Sequence, residues 1–423
     1  MTLKRRLAPP LRFAPPHRTG DLALTSAVQI FAIFLRLGLT SFGGPIAHLG
    51  YFREEFVGKR KWLDDATYSN LVALSQFVPG PASSQTGFAI GVMRGGLVGG
   101  LAAWLGFTLP SALLMLLAAK GLVAAEGPLI AGLIHGLKIV AVAVVAQAVW
   151  SMAKTLCPDR RTASIALVAA ALLVVAASAH FQLAAIAGGA VAGVLLLSSR
   201  PQSEPPSPLT SPQSKTAAAL ALAMFVIMLL GLPLLARLEG SNTLAMIEAL
   251  YRAGALVFGG AHVVLPLLEQ AVVPPGWVSH HDFLAGYGAA QALPGPLFSF
   301  AAYLGALIPQ ELGAFAGAGV AILAIFLPGL LLIYGVLPYW SALSARRKAR
   351  AAIAGVNAAV VGVLAAALYD PIFTSAIAGP YDAALALAAF TALTVWRLPV
   401  LAVVSATAAA GLAIALMTAS AQG

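Results

Sequence analysis

Apolar residues run through this 423-residue chain in long blocks, with polar residues gathered in short stretches between them. Thirteen apolar segments stand out, at 25–45, 68–93, 95–119, 128–152, 162–180, 181–198, 217–236, 244–262, 284–308, 312–340, 350–369, 375–395 and 398–420. Blocks of this length with few charges are those that cross a bilayer as helices. Two longer polar stretches interrupt them. Residues 1–24 are basic and carry Pro9, Pro10, Pro15 and Pro16. No apolar core follows closely and no small-residue cleavage site appears, so they are read as a cytoplasmic tail and not as a signal peptide. Residues 199–216, SRPQSEPPSPLTSPQSKT, form a Pro/Ser-rich linker between an N-terminal unit, 25–198, and a C-terminal unit, 217–423.

Composition agrees with the pattern. The chain is 60% apolar and 9% charged, whereas a soluble domain runs about 45–50% and about 25%. Its mean hydropathy is +0.90. Water cannot be the solvent for most of it. The 41 glycines and 27 prolines suit closely packed helices that break inside the membrane. A single cysteine, Cys157, excludes an internal disulfide. The net charge of +10 does not require a nucleic acid, because its distribution is that of a topology signal. With the N-terminus inside, sixteen Lys and Arg fall on the cytoplasmic side and six outside; Arg36, Lys138 and Arg252 lie within spans.

The two halves repeat each other. FLRLGLTSFGGP, 34–45, aligns with LYRAGALVFGGA, 250–261, at an offset of 216. Trp62, Gln76 and Pro79-Gly80-Pro81 then align with Trp277, Gln291 and Pro294-Gly295-Pro296 at 215, and Gly95, Gly99 and Pro110 with Gly313, Gly317 and Pro328 at 218. Seven predicted spans separate the two starts, and an odd number turns the second unit upside down. Inverted repeats of this kind are common in secondary transporters, which hold substrate near the midplane between the halves. If 68–93 enters and leaves by one side, that count becomes even.

Candidate chemistry sits at the repeated breaks. Gln-x-x-Pro-Gly-Pro occurs within an apolar segment in each half, Gln76–Pro81 and Gln291–Pro296. Each proline removes an N–H and pushes the residue before it out of helical geometry, so the helix should stop inside the bilayer. Broken backbone must then face protein or a water-filled cavity. Ser83, Ser84 and Thr86, and Ser299 in the second half, are placed to cap a new half-helix, whose N-terminus suits an oxyanion. A kinked packing helix is the competing reading. Arg36 and Arg252 are cations near the middle of spans, where they serve an anion, pair, or snorkel to an interface. Glu248, four residues before Arg252, could neutralise it; Arg36 has no such neighbour. The glycine pairs Gly43-Gly44 and Gly259-Gly260 permit bending or close helix approach beside a pathway. Glu54, Glu55 and Glu269 read as loop charges or proton-coupling groups, and His48, His135, His180 and His262 as structural. Residues 52–65 read as an interfacial or partly buried helix, with Trp62 and Trp277 as interface anchors. No metal-ligand spacing, phosphate loop, nucleotide fingerprint, haem motif or Ser/His/Asp set occurs, so no metal, cofactor or catalytic residue is expected.

In this order the motifs resemble the chromate ion transporter family. The resemblance runs through Phe42-Gly43-Gly44-Pro45, Trp62, Gln76-x-x-Pro-Gly-Pro and the glycine-spaced helix ending Leu109-Pro110. It repeats in Phe258-Gly259-Gly260, Trp277, Gln291-x-x-Pro-Gly-Pro and Leu327-Pro328, covering about residues 30–370. Two homologous halves resemble the family's long-chain, two-domain branch. The resemblance implies a bacterial inner-membrane protein that exports chromate and confers chromate resistance; some members are related to sulfate. The second half departs from the first, with Ala261 opposite Pro45 and Phe298 and Phe300 opposite Ser83 and Gln85. The first half is therefore expected to supply more of the site, with Gln76, Ser84 and Arg36 foremost.

Together these observations describe an all-α polytopic membrane protein of two inverted-topology repeats with broken helices and about 13 membrane segments. It is expected to export chromate or a related tetrahedral oxyanion. Sulfate uptake or a passive anion channel on the same scaffold is the alternative, and a membrane enzyme is disfavoured by the single cysteine. Expected partners are the oxyanion, the lipid bilayer, a proton as coupling ion and a second copy in a homodimer. The expected substrate-binding residues are Gln76, Pro79, Gly80, Pro81, Ser83, Ser84, Arg36, Gly43 and Gly44, with Gln291, Pro294, Gly295, Pro296, Ser299, Arg252, Gly259 and Gly260 from the second half.

Overall fold

The computed structural model describes residues 26–422, apart from 43, 125–127, 177–178, 199–208, 210–212 and 259–263. The expected tail, most of the linker, and Gly43, Gly259, Gly260 and His262 lie outside the described residues. The first repeat comprises α1 (Ala27–Thr40), α2 (Gly44–Arg53, prolonged by a π-helical turn at Glu54–Lys59), α3 (Asp65–Phe77), α4 (Ala82–Ala124), α5 (Pro128–Leu156), α6 (Arg160–Val175) and α7 (Ala179–Leu197). α8 (Lys215–Glu239) leads into the second: α9 (Asn242–Ala255), α10 (Val264–Val272), α11 (His280–Ala292), α12 (Phe300–Leu307), α13 (Gly313–Val336) and α14 (Trp340–Ser344). It closes with α15 (Arg347–Ala367), α16 (Thr374–Ala376), α17 (Pro380–Thr394) and α18 (Val400–Gln422). No strand occurs among the described residues. Five of the helical stretches are long and apolar enough to cross a membrane by themselves.

Each helix before a break starts and stops for local reasons. Asp64 caps α3 by accepting from the Thr67 amide, and Ser279 caps α11 by accepting from Asp282. α3 ends at Val78 (ψ 149°) and α11 at Leu293 (ψ 147°). Both are residues before proline, forced into extended geometry. Gly80 and Gly295 follow with φ of +130° and +95°, a conformation open to glycine and costly for any side chain.

At these breaks the chain turns back, which corrects the predicted spans. Thr86 Oγ1 lies 3.0 Å from Ser75 Oγ, although eleven residues of straight helix would separate them by about 16 Å. In the second half Tyr303 of α12 donates to the carbonyl of Asp282 near the start of α11, at 3.0 Å. α1 and α2 also form a hairpin, with Phe34 stacked on Phe56 at 5.1 Å. Segments 25–45, 68–93 and 284–308 are therefore hairpins or parts of hairpins that enter and leave by one side. α4 reverses once more at Gly95–Gly96, so that Gly91 lies against Gly99 and Gly100; only its second limb, 97–124, continues across.

The inversion survives this correction. Between α1 and α9 stand the long limb of α4, α5, the antiparallel pair α6–α7, and α8. A pair returns the chain to its own side, so the parity remains odd. Arg161 Nη1 reaches the Leu196 carbonyl at 2.7 Å, closing the α6–α7 pair.

The repeats also exchange their last two helices. α6 and α7 pack on α15 of the second half, whereas α17 and α18 pack on α5 of the first. Small residues make the contacts. A Cβ on Gly355 would collide with the backbone of Gly189 and Gly193, and one on Gly136 with the backbone at Thr407. Such stripes let membrane helices approach closely, where dispersion supplies the attraction that water would otherwise drive.

Candidate functional site

Each Pro-Gly-Pro loop docks on the opposite half. The Gly80 amide donates to the Val257 carbonyl at 2.7 Å, and the Gly295 amide donates to the Ser41 carbonyl at 2.9 Å. Val257 and Ser41 are equivalent positions, each one residue before its Phe-Gly element. Gly80 also lies against Gly329, and Gly295 against Ser111, the residues that follow the repeated Leu-Pro of α13 and α4. Gln85 reinforces one contact by donating from Nε2 to the carbonyls of Pro79 (2.8 Å) and Gly329 (3.0 Å). Thus each break is held by the other half, in a reciprocal pseudo-twofold arrangement.

Beside the first loop lies a cavity of about 160 Å³, lined by Pro45, Ser75, Gln76, Gly80, Ala82, Ser151, Thr155 and Asn357 among others. Its polar groups are hydroxyls and amides, and its lining carries no carboxylate. Gln76 and Thr155 are exposed at its rim, and Asn357 Oδ1 is buried without a hydrogen-bond partner. Deeper in the first repeat are further buried groups. Ser41 Oγ, His48 Nε2, Ser84 Oγ and Thr108 Oγ1 have no hydrogen-bond partner, in side chains at most 2% exposed. His48 stands edge-on to Phe107 at 5.2 Å and 3.5 Å from Ser83 Oγ, while the Phe107 carbonyl faces Gly295. Leaving a buried polar atom unpaired costs about 1–3 kcal/mol, so four in one region of the fold call for a compensating role.

The structure brings some expected residues together and separates others. Gln76 and Gly80 line the cavity, Pro79 and Pro81 close the loop around Gly80, and Ser83 and Ser84 follow within the buried polar region. Gly44 begins α2 with φ +76°. The hydroxyls do not cap as expected. Thr86 donates back to the Ala82 carbonyl and Ser299 to the Pro296 carbonyl, each within its own turn. Neither serine at 83 or 84 makes a capping bond, because the loop's packing turns Ser83 toward His48. Arg36 is exposed on α1, outside the cavity. Arg252 pairs with Glu248 at 3.2 Å, as the spacing suggested. Gln291, Pro294, Gly295, Pro296 and Ser299 gather at the second loop, where Gln291 Nε2 is buried without a partner. Their surroundings are aromatic: Phe298 packs on Phe326 at 5.5 Å, and Phe300 on Phe283 at 5.2 Å. Trp62 sits between two cations, 5.8 Å from Arg60 and 4.9 Å from Arg94.

Sequence reasoning did not select Ser75, Asn357, Ser41 or Thr108, and it read His48 as structural. Asn357 had a weak signal as a polar residue in an apolar span, aligned with Lys138. The others look like ordinary small polar residues until the hairpins bring them together. Among the described residues, no group of three or more His, Cys, Asp or Glu could hold a metal ion.

The model of the chromate transporter family matches the chain twice, over residues 28–194 and 244–412. A chromate transport protein of Pseudomonas aeruginosa is 30% identical over 372 residues, covering 84% of this chain and 85% of the relative. A probable chromate transport protein of Synechococcus elongatus is 30% identical, covering 81% and 84%, and a chromate transport protein of Cupriavidus metallidurans is 29% identical, covering 84% and 86%. No solved structure matches the chain. A repeated family match joined to paired breaks in inverted halves leaves one conclusion: this multi-pass membrane protein belongs to the chromate transporter family.

Proposed function

We propose that the protein is a secondary transporter that exports chromate, or a related tetrahedral oxyanion, across the bacterial inner membrane and so confers chromate resistance. Residues 25–198 and 217–423 act as its two units, with the N-terminus in the cytoplasm. The observation that carries the reading is the reciprocal docking of Gly80 and Gly295 on the opposite halves, beside a cavity lined by neutral donors. An oxyanion needs hydrogen-bond donors and no facing carboxylate, and helix N-termini add unpaired amides. Gln76, Ser83, Ser84 and the amides after Pro81 meet that requirement, with Asn357 across the cavity. The second loop, with Gln291 and Ser299, acts as the opposing jaw. Arg36 and Arg252 lower the potential barrier along the approach, and Gly44, at the start of α2, allows the turn after α1 to move. Rocking of one repeat against the other would expose the site to each side in turn.

Labelled chromate and sulfate offered to inverted membrane vesicles test this. Chromate accumulation that requires an energised membrane supports export. Flux that only equilibrates the two sides would make the protein a channel, and preferential sulfate movement would reassign the substrate.

A further inference from the structure

A second cavity, of about 550 Å³, lies where the second repeat meets α6 of the first, between α10, the start of α11, α15 with its continuation, and α6. Its chemistry is the opposite of the first cavity's. Glu269 and Asp370 line it, together with Gln270 and His280. An acidic chamber repels an anion, so this is not a second place for the oxyanion.

Within it is a chain of three side chains from three elements. His280 Nδ1 lies 2.8 Å from Glu269 Oε1, and His280 Nε2 lies 2.6 Å from Ser375 Oγ. The Ser375 hydroxyl donates to the Pro371 carbonyl at 2.6 Å. That bond uses the only proton serine has, so Nε2 must carry its own proton and donate to Ser375 Oγ. The short Nδ1–Oε1 contact then needs one further proton between them. Without it, a bare ring nitrogen would face a carboxylate oxygen, and the contact would open or the serine would lose its bond to Pro371. The closed chain therefore holds one exchangeable proton.

We propose that Glu269 and His280 form a proton-carrying pair, loaded from this cavity, whose loading is coupled to movement of the oxyanion. The inference rests on the transporter reading above. The route of coupling is in the fold. Glu269 lies on α10, the strand of chain that follows Val257, which accepts the Gly80 amide. His280 begins α11, which ends at the second loop, where Gly295 donates to Ser41. The pair thus ties together the two elements that carry the two contacts between the halves. Loading closes the tie and unloading releases it. The other charged groups near the pair are Asp370 across the cavity, which accepts from Thr374 at 2.8 Å, and the His281–Asp282 pair at 3.5 Å. The walls from α6 and α15 contribute Leu173, Val363, Ala366 and Ala367, which carry no charge.

The full-length protein in liposomes, with labelled chromate and a lumenal pH dye, tests the proposal. The wild type should accumulate chromate under an imposed pH gradient, with matched proton movement. Glu269→Gln and His280→Gln should each lower gradient-driven accumulation and proton movement by about tenfold, while chromate–chromate exchange at equal pH persists. Glu269→Asp should restore part of the proton movement. Wild-type accumulation without proton movement overturns the proposal, as does gradient-driven accumulation unchanged in both variants. Loss of exchange in both variants also overturns it, by making the pair structural. Absence of chromate exchange in the wild type is a separate result that overturns the transporter reading itself.

Discussion

The two re-entrant loops share a backbone and differ in what surrounds them. Around the first are Ser83, Ser84, Gln85 and Thr108, all at most 3% exposed. The aligned positions around the second are Phe298, Ser299, Phe300 and Phe326, whose three aromatic rings are fully buried. The docking partners divide by half and not by loop: Val257 and Gly329 of the second half receive the first loop, and Ser41 and Ser111 of the first half receive the second. Duplication supplied one geometry twice, and substitution then made one copy a polar site and the other an apolar clamp. Two identical polar copies would have buried twice as many unpaired groups, at about 1–3 kcal/mol each. An asymmetric pair keeps the reciprocal backbone contact while lowering that cost on the second side.

Substitutions at the loops should break this comparison most severely where both copies are alike. Gly80→Ala is expected to abolish chromate flux, because its Cβ would meet the Gly329 backbone at 3.0 Å in addition to the Gln85 amide, at a φ of +130°. Gly295→Ala should be milder, since its nearest neighbour is the Ser111 hydroxyl. Equal flux in these two variants would contradict the difference between the halves. A weaker test separates chemistry from packing. Phe298→Ala removes a buried ring, worth about 3–5 kcal/mol in packed cores, and should lower the thermal midpoint. Ser84→Ala and Gln76→Ala should leave the midpoint near wild type and reduce chromate flux by about tenfold, the scale of one lost hydrogen bond to a charged group. The reverse assignment of effects would sink the polar-site reading.

Smaller effects sharpen the comparison at the periphery. Arg36 is exposed whereas Arg252 pairs with Glu248. Arg36→Ala should therefore slow chromate flux more than Arg252→Ala, with the gap closing as salt rises. The smallest expected effect is at Glu311, between α12 and α13, which accepts from Ser241, Asn242 and Thr243 at the start of α9. These bonds, the Thr243 hydroxyl's foremost, hold its pKa at about 2 in place of the ordinary 4.5. A depressed carboxylate pKa gives stability that is present above the unfolded value and lost as pH falls through the folded one. The thermal midpoints of wild type and Glu311→Gln should differ at neutral pH and converge as pH approaches 2.

Much of the fold was legible because prolines and glycines act locally. Pro79 and Pro294 set Val78 and Leu293 extended whatever surrounds them, and the aligned offsets of 215 to 218 exposed the duplication before any contact was known. Crossing and turning back were not legible. A re-entrant helix buries the same apolar residues as a spanning one, so 25–45 and 68–93 carry no mark of their direction. Neither crosses, and the two changes cancel in the parity. His48 and Thr108 were hidden for a related reason. An apolar helix with an occasional small polar group reads alike whether that group meets a bonding partner or none.

Sequence alone determined the solvent, the repeat, the places where helices break and the departures that make the halves unequal. All of these follow from composition and from the fixed geometry of proline and glycine. Only the tertiary structure decided that each break turns back and docks on the opposite half, that the last helices are exchanged, and that Glu269 meets His280. Those outcomes depend on which surfaces close against one another, and close packing is a property of pairs of segments that no single segment encodes.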